Sequence, residues 1–250
     1  MNFTVFRFDS IDSTNTEALK QARLGADEGV CVVAGHQTAG RGRHGRVWAS
    51  PPNSGLYFSV VLRPRIDARL LPLITLTAGI AVYDVLFEFG LKPDIKWVND
   101  VLVGDKKISG ILAETTETAK GIAVVVGIGV NLTSSNFPPE IAEVATSVAG
   151  ESGRTASFAE VEERLLRYFG YWYEILSDPE GPAEILNAWR QRSSYFSGKR
   201  VRVQLGKDAV TGVTDGLESD GALRLKIDGG DRLVVQAGDV ERLREAETSN

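Results

Sequence analysis

The sequence predicts an α+β protein in which a sheet with flanking helices is followed by a small β-barrel. Segments with strand and helix patterns alternate up to about residue 195. From residue 200 onward, short strand patterns are separated by glycine and aspartate turns, which is typical of a small β-barrel. The 250 residues are 43% hydrophobic, enough for one large core and a small appendage. We therefore expect one domain over residues 1–194 and the barrel over residues 195–244.

The first half of the chain is predicted to contain most of the sheet. Apolar or alternating runs predict strands at residues 3–8, 30–35, 56–62, 95–97, 101–103, 107–114 and 121–129. A capping box at Thr14 and Glu17 predicts a helix that ends near Gly25. Helical spacing over residues 70–89, with Gly90 as the stop, predicts a second helix.

The second half is predicted to begin with a long surface connection over residues 132–156, which are rich in Ser, Thr, Pro and Gly. Ser157 and Glu160 then open a helix that runs to about Leu176. A further helix is predicted over residues 182–191, and the barrel is expected to pack on the larger domain. Residues 245–250 are expected to fray.

Composition limits the classes of function. Lys and Arg number 28 against 33 Asp and Glu, so the formal net charge is −5 and a general nucleic-acid binder is disfavoured. The single cysteine, Cys31, excludes internal disulfides and cysteine-rich metal sites. The chain has no secretory signal pattern and no uninterrupted apolar run of the ~18 residues that a membrane helix needs. We expect a soluble, cytoplasmic protein.

A loop rich in arginine and glycine is the most informative local feature. Residues 40–46 hold three arginines and three glycines, and Trp48 follows shortly after. Glycine brings backbone N–H groups close to a ligand, and the arginine fork matches carboxylate or phosphate oxygens. A solvated basic turn is the simpler interpretation of such a run. The apolar segments at residues 30–34 and 56–62 favour a functional loop held between two core strands.

Three further segments gather polar residues at element ends. Residues 12–15 offer small hydroxyl and amide groups at a helix start, more than a cap requires. Asn99 and Asp100 follow a strand, where a simple turn is an equally good interpretation. Strict alternation would place Lys107 and Ser109 on the face opposite Ile108 and Gly110. The glycines in residues 127–131 would let a ligand lie close to a strand, but this signal alone is weak.

Five segments in order resemble the biotin protein ligases, also called biotin–[acetyl-CoA-carboxylase] ligases. They are DSTN at 12–15, GRGRHGRVW at 40–48, KWVNDV at 96–101, KISGIL at 107–112 and GIGVN at 127–131. The resemblance covers residues 5–135, and the region after residue 195 resembles the family's C-terminal SH3-like barrel. It implies a mixed or antiparallel central sheet with flanking helices, the fold type that is also found in class II aminoacyl-tRNA synthetases.

The resemblance also implies a role for each matching residue. The biotin-binding residues it implies are Ser13, Thr14, Asn15, Gln37, Arg41, Gly42, Arg43, Lys107, Gly110 and Gly129. The nucleotide-binding residues it implies are Arg41, Arg43, Trp48, Asn99, Asp100 and Asn131, the last three also near the Mg²⁺ of the nucleotide. Arg41, Arg43 and Lys107 would be catalytic, because they can offset charge on a carboxylate and a phosphate. No metal site built from protein ligands alone is expected.

The implied reaction joins biotin to ATP, giving biotinyl-5′-AMP and pyrophosphate, and then transfers biotin to a lysine of a biotin carboxyl carrier protein. ATP and Mg²⁺ would serve as co-substrate and ion, with no tightly bound cofactor. No nucleic-acid or membrane partner is expected. A homodimer through the central sheet is compatible with the resemblance, but the residues themselves do not establish it.

The chain departs from the family pattern at two positions. Val98 stands where the family usually has proline, which loses a rigid φ but no functional group. His44 stands where many members have arginine, which makes the loop less basic. Because only about a dozen residues precede the first motif, the chain resembles the monofunctional class without an N-terminal DNA-binding domain.

Two other classes of function are open. A lipoate or octanoate ligase or transferase has a similar fold, and its octanoyl branch would need a reactive cysteine. Cys31 is the one candidate, and its apolar strand context favours an inert, buried thiol. A nucleic-acid-binding module that uses the arginine loop and the barrel is the other alternative. It would show strongly salt-dependent binding, whereas the acidic pI of about 5.3 predicts negligible binding.

Overall fold

The computed structural model describes residues 1–135, 137–206, 208–236 and 238–242. In these residues the chain forms a mixed central sheet with flanking helices and a separate antiparallel sheet near the C-terminus. The predicted α+β class is therefore confirmed. The prediction that residues 245–250 fray lies outside the described residues.

The central sheet has seven strands. They are β1 (Thr4–Phe8), β2 (Val30–Ala34), β3 (Gly55–Leu62), β4 (Pro93–Lys96), β5 (Asp100–Val103), β6 (Lys106–Thr118) and β7 (Gly121–Asn131). Their order across the sheet is β1-β2-β3-β7-β6-β5-β4. β1 and β2 are parallel, and the other neighbouring pairs are antiparallel. Each predicted strand is confirmed, and β6 and β7 extend further than the sequence pattern indicates.

Helices cover both faces of this sheet. They are α1 (Thr14–Arg23), α2 (Leu73–Glu88), α3 (Val148–Ser152), α4 (Phe158–Ser177) and α5 (Gly181–Arg192). On β3, Val61 belongs to a small core with α1, while Leu62 belongs to the large core with α2, α4 and α5. Because helices cover both faces of the sheet, the sequence of β3 is an almost continuous apolar run. Ser59 lies two residues before Val61 and therefore faces α1.

The start of α1 differs by one residue from the prediction. Ser13, with extended backbone, is the N-cap, and its Oγ accepts from the Thr16 N–H at 3.5 Å. The capping box placed this cap at Thr14, which is instead the first helical residue. The reason is tertiary: Thr14 N–H donates to Gln37 Oε1 at 2.8 Å, so a residue distant in sequence satisfies one of the free helix donors.

The helix α2 is strongly apolar. Residues Ala68–Glu88 are long and apolar enough to cross a membrane by length and composition, and 61% of the most apolar window is buried inside the fold. α2 contacts the central sheet, α4 and α5, as a core helix does. It ends as predicted, since Gly90 follows with φ of +80°.

The connection over residues 132–156 is bound to the start of β6. Lys107 N–H donates to Val144 O at 2.8 Å, and Thr146 N–H donates to Lys107 O at 2.9 Å. The short helix α3 then starts at Ser147, whose Oγ caps the Gly150 N–H at 3.1 Å. The sequence pattern did not predict these features, because they depend on pairing with a strand far away in the chain.

The C-terminal sheet has one strand more than the four short runs indicated. Its strands are β8 (Ser197–Leu205), β9 (Asp208–Leu217), β10 (Leu223–Ile227), β11 (Arg232–Val235) and β12 (Asp239–Arg242), in the order β11-β10-β9-β8-β12. The sheet packs on the larger region, as predicted. Trp97 is buried at this boundary, and its Nε1–H donates to Gly221 O at 2.9 Å. The motif that contains Asn99 and Asp100 is therefore anchored by the C-terminal sheet.

Replacing Trp97 with Phe should lower the free energy of unfolding by about 1–3 kcal/mol, because the Gly221 carbonyl would lose its indole donor in a buried place. Urea denaturation measures this change. Tyr171→Phe is the control, since Tyr171 is 56% exposed and its change should stay within about 0.5 kcal/mol. A Trp97→Phe variant as stable as the wild type would contradict the anchoring role.

Candidate active site

A cavity of about 130 Å³ lies where α1 begins, under the loop of residues 40–48 and against β6 and β7. All but one of the site residues predicted from the sequence line it. These are Ser13, Thr14, Asn15, Gln37, Arg41, Gly42, Arg43, Trp48, Asn99, Asp100, Lys107, Gly110 and Gly129. Segments that are far apart in sequence therefore converge on one place.

Asn131 is the predicted residue that does not line this cavity. It is buried at the end of β7, and its Nδ2 donates to Thr146 O at 3.0 Å. In the structure Asn131 ties β7 to the connection that pairs with Lys107. Its predicted nucleotide contact stays a prediction.

The arginine and glycine loop is closed on itself. Gly42 N–H donates to Arg46 O at 2.8 Å, and Trp48 N–H donates to Gly40 O at 3.0 Å. A Cβ at Gly40 would lie 2.3 Å from Trp48 O, so this position requires glycine. His44 lies at the tip with φ of +55°, in the left-handed region that histidine adopts more readily than most residues.

The loop arginines are held by groups from other elements. Arg41 forms an ion pair with Glu114 of β6. Arg43 Nη1 donates to Asn99 Oδ1 at 3.1 Å and, at 3.3 Å, to the carbonyl oxygen of Gly238, which directly precedes β12 of the C-terminal sheet. The loop therefore makes contacts with both sheets. An incoming anion would exchange with these partners rather than meet isolated guanidinium groups.

The Trp48 indole lies directly against two glycines. A Cβ at Gly129 would be 2.5 Å from the ring, and a Cβ at Gly110 would be 2.8 Å from it. The resemblance implies that these glycines bind biotin. The structure gives a second reason for them, since the indole needs the space. Trp48 Nε1 is buried and has no hydrogen-bond partner among the described residues.

Lys107 is held by a carboxylate and faces the cavity. Its Nζ lies 2.6 Å from Asp100 Oδ1 and 5.3 Å from the centre of the Trp48 ring. Asp100 is also 3.7 Å from Lys96 Nζ. The ion pair with Asp100 holds the Lys107 side chain in place beside the cavity.

The face predicted for Lys107 is wrong, for a local reason. Val101 pairs with Ser109, but the next residue of β5, Leu102, pairs with Lys107, so Ile108 is an extra residue in β6. Such a bulge breaks the alternation of side chains. As a result Lys107 lies on the same face as Gly110, where a Cβ would be 2.9 Å from Lys107 Cε.

The floor of the cavity is a network of neutral polar groups. Thr14 N–H and Oγ1 lie 2.8 and 3.1 Å from Gln37 Oε1, and Gln37 Nε2 donates to Ser50 Oγ at 2.9 Å. Ser59 Oγ lies 2.8 Å from Thr14 Oγ1 and 2.6 Å from Asn15 Oδ1. This floor contains no charge, whereas the loop side of the cavity contains several.

The sequence analysis missed three residues that contact this site. Ser59, Ser50 and Glu114 are not in the predicted set, yet each contacts a predicted site residue. Ser59 carried a usable signal, because it is a single hydroxyl in an otherwise apolar strand. Glu114 follows closely on the motif at residues 107–112, but its spacing alone does not indicate a partner.

Cys31 is not a candidate nucleophile in this structure. Its side chain is fully buried in β2 and is not part of the cavity lining, and its Sγ–H donates to Gly29 O at 3.4 Å. Burial raises the pKa of the Cys31 thiol far above its ordinary value, so a thiolate does not form at neutral pH. The cysteine-dependent alternative loses its support.

Protein groups alone do not form a metal centre in the described ranges. No cluster of three or more His, Cys, Asp or Glu side chains that could hold a metal occurs in the part of the chain that the structure describes. Asp100 is the carboxylate that lines the cavity. This arrangement suits Mg²⁺ carried by nucleotide phosphates, which commonly needs only one or two protein carboxylates.

The comparisons with known proteins all indicate the same family. Residues 7–131 match the biotin/lipoate A/B protein ligase family, and residues 196–243 match the biotin protein ligase C-terminal domain. The biotin–[acetyl-CoA-carboxylase] ligase of Mycobacterium tuberculosis is 37% identical, over 93% of this chain and 86% of its own length. The ligase of the same name from Paracoccus denitrificans is 37% identical, over 92% and 96%.

A solved structure supports the same grouping. The biotin protein ligase from Aquifex aeolicus, in complex with biotin and ATP, superimposes with a TM-score of 0.83 at 28% sequence identity. The alignment covers 96% of this chain and 99% of that one. The likeness therefore includes the C-terminal sheet as well as the central sheet.

Replacing Gly129 with Ala should displace the Trp48 indole, because the new Cβ would lie 2.5 Å from the ring. We expect faster amide hydrogen exchange over residues 41–47, measured by mass spectrometry. Gly35→Ala is the matched control, since its Cβ would meet its nearest neighbour at an ordinary 3.4 Å. Unchanged exchange in the Gly129→Ala variant would show that the glycine does not seat the indole.

Proposed function

The chain belongs to the biotin protein ligase family, and from this premise we propose that it activates biotin with ATP and transfers it to a carrier protein. The first step yields biotinyl-5′-AMP and pyrophosphate. The second joins biotin to a lysine of a biotin carboxyl carrier protein, as in acetyl-CoA carboxylase. The names of the relatives from Mycobacterium tuberculosis and Paracoccus denitrificans support this substrate and this partner.

One observation carries the proposal: a single cavity has a neutral polar floor and a cationic rim. Thr14 and Gln37 form part of the floor, and Arg41, Arg43 and Lys107 surround the rim. Biotin has the matching polarity, with a neutral cyclic urea at one end and a carboxylate at the other. We therefore assign the floor to the ring, and the rim to the carboxylate and the α-phosphate of ATP.

In the activation step, a carboxylate oxygen of biotin attacks the α-phosphorus, and the bond to the pyrophosphate oxygen breaks. Both reactants are anions, so positive groups must offset their repulsion. Arg41, Arg43 and Lys107 are in place to do this, and preorganised charges of this kind usually contribute most to catalysis. Mg²⁺ would enter with the ATP phosphates beside Asn99 and Asp100 and would neutralise part of their charge.

Asp100 has a positioning role in this step. Its carboxylate lies 2.6 Å from Lys107 Nζ, which directs the ammonium group to the cavity. When the substrate anions arrive, the ammonium group has further protons to donate to them. The side chain therefore needs no large rearrangement to stabilise the developing charge.

In the transfer step, the amine of the carrier lysine attacks the carbonyl carbon of the mixed anhydride, and AMP leaves. Water is the competing nucleophile, so the anhydride must be covered until the carrier arrives. Sites for drug-sized ligands usually have volumes of about 300–1,000 Å³, well above the 130 Å³ of this cavity. We infer that the loop of residues 40–48 moves outward to admit the substrates and closes over the adenylate.

The C-terminal region is the second domain of this proposal. We assign residues 1–194 to the catalytic domain and residues 195–244 to an SH3-like barrel domain. The match of residues 196–243 to the family's C-terminal domain supports this division. The hydrogen bond from Arg43 to Gly238 O gives the second domain a direct contact with the loop.

The direct experiment incubates the protein with biotin, MgATP and a biotin carboxyl carrier domain. We expect pyrophosphate release that depends on biotin, and a mass increase on one carrier lysine. Lipoate and octanoate serve as the comparison acids. Release with lipoate or octanoate but not with biotin would overturn the proposed substrate.

Replacing Arg41 with Gly should let the adenylate escape, because the loop would lose both the guanidinium group and its ion pair with Glu114. Escaped biotinyl-5′-AMP reacts with any accessible lysine. We expect biotin label on a bystander protein such as serum albumin, detected with streptavidin. Arg69→Gly is the control, since Arg69 is exposed and pairs with Asp67 away from the cavity. If Arg41→Gly labels albumin no more than the control does, the retention role is wrong.

A further inference from the structure

Glu114 of β6 places a carboxylate beside the cavity, at the point where the loop of residues 40–48 begins. Its Oε1 forms the ion pair with Arg41, and its Oε2 accepts from Asn15 Nδ2 at 2.9 Å. We propose that Glu114 is a positioning residue that holds this loop closed and thereby slows the escape of the acyl-adenylate. The inference rests on the proposed function, since the retained molecule is biotinyl-5′-AMP.

The two partners of this ion pair belong to parts of the chain that separate when the loop opens. Glu114 lies within the central sheet, where it pairs with Val125 of β7. Arg41 lies in the loop that opens to admit the substrates. The ion pair is therefore made in the closed state and broken in the open state. An interaction made in one of two states shifts the equilibrium toward that state by its own free energy.

Backbone contacts join the two sides of the loop, so that a force on Arg41 acts on the whole loop. Arg41 and Val47 form an antiparallel bridge, and Gly42 N–H donates to Arg46 O at 2.8 Å. Arg46 and Val47 line the cavity together with Arg41. Holding Arg41 against β6 therefore also holds the residues on the other side of the loop over the cavity.

The Glu114 carboxylate is oriented before the loop closes. Asn15 is only 4% exposed, and its Nδ2 also donates to Leu112 O at 3.2 Å. Ser59 Oγ lies 2.6 Å from Asn15 Oδ1 and fixes the other end of the amide. Exposed ion pairs contribute little partly because two flexible side chains must be ordered. Here one partner is already ordered and 23% exposed, so more of the attraction is retained.

The exchange of partners with an incoming anion is partial at Arg41. The ion pair uses the Nη2 group of Arg41, and a guanidinium group has further N–H donors. Arg41 lines the cavity, whereas Glu114 lies outside its described lining. Glu114 and the acyl-adenylate therefore bind the same arginine from two sides. If Glu114 instead only neutralised Arg41 until an anion replaced it, removing its charge would slow ligand release.

The first test measures amide hydrogen exchange over residues 41–47 in the ligand-free protein. Glu114→Gln keeps the size of the side chain and removes the ion pair. We expect exchange to be about 3–10-fold faster, the effect of one such pair on an opening equilibrium. Glu117→Gln is the matched control, because it removes the same charge from an exposed position on the other face of β6. Its exchange should equal that of the wild type.

The second test measures the release of biotinyl-5′-AMP that each protein has formed from radiolabelled biotin and MgATP. Excess unlabelled biotinyl-5′-AMP is added, and the label that stays on the protein is followed by filter binding. Glu114→Gln should release the label about 3–10-fold faster than the wild type, and Glu117→Gln at the wild-type rate. Because Glu114 acts through Arg41, Glu114→Gln should cause no further acceleration in an Arg41→Gln protein.

Wild-type behaviour of Glu114→Gln in either test would overturn the inference, and so would slower release. An equal acceleration in the Arg41→Gln protein, or in Glu117→Gln, would also overturn it, because the effect would then not pass through the ion pair. A wild-type protein that forms no biotinyl-5′-AMP would contradict the proposed function instead. The exchange comparison needs no ligand, so it would still test the role of Glu114, and the two failures are distinguishable.

Discussion

A serine hydroxyl buried between β3 and α1 must find hydrogen-bond partners, and the groups within reach of Ser59 are the Asn15 amide and the Thr14 hydroxyl. These contacts begin a chain of hydrogen bonds that connects the two ends of the loop through the cavity floor. In order, the chain passes through Trp48, Ser50, Gln37, Thr14, Ser59, Asn15, Glu114 and Arg41. The loop is thus fixed at both ends by the same network that forms the floor.

This arrangement separates two tasks within a small space. The neutral floor, built on Thr14 and Gln37, can recognise a ring by the direction of its hydrogen bonds. The rim, built on Arg41, Arg43 and Lys107, can offset the charges of a carboxylate and a phosphate. Each rim cation has an oxygen partner in the structure, so substrate binding exchanges one set of partners for another. Retention of an acyl-adenylate then depends on the loop that carries two of these cations.

Local sequence patterns were sufficient to predict most of the helices and strands. The capping box at Ser157 and the glycine stop at Gly90 depend on neighbours only a few residues away, and both are confirmed. The motifs gave nearly the whole cavity lining because the resemblance carries long-range information. Asn131 is the exception, since its side chain turns to Thr146 instead.

Features that depend on the exact pairing of strands, or on contacts between residues far apart in the chain, could not be predicted. The face of Lys107 depends on a bulge that is visible only in the pairing of β5 with β6. The roles of Ser59 and Glu114 depend on contacts with Asn15 across more than 40 and 90 positions. The spacing of apolar residues in the sequence gives no information about such contacts. For the same reason the N-cap of α1 is Ser13 and not the predicted Thr14, because the Thr14 N–H donates to Gln37 Oε1.

A crystal structure of the protein with biotin would test the central claim most directly. The account predicts that one ring N–H lies within hydrogen-bond distance of Thr14 Oγ1 or Gln37 Oε1. The biotin carboxylate should lie beside Lys107. A ring placed at the rim, or a carboxylate placed at the floor, would contradict it.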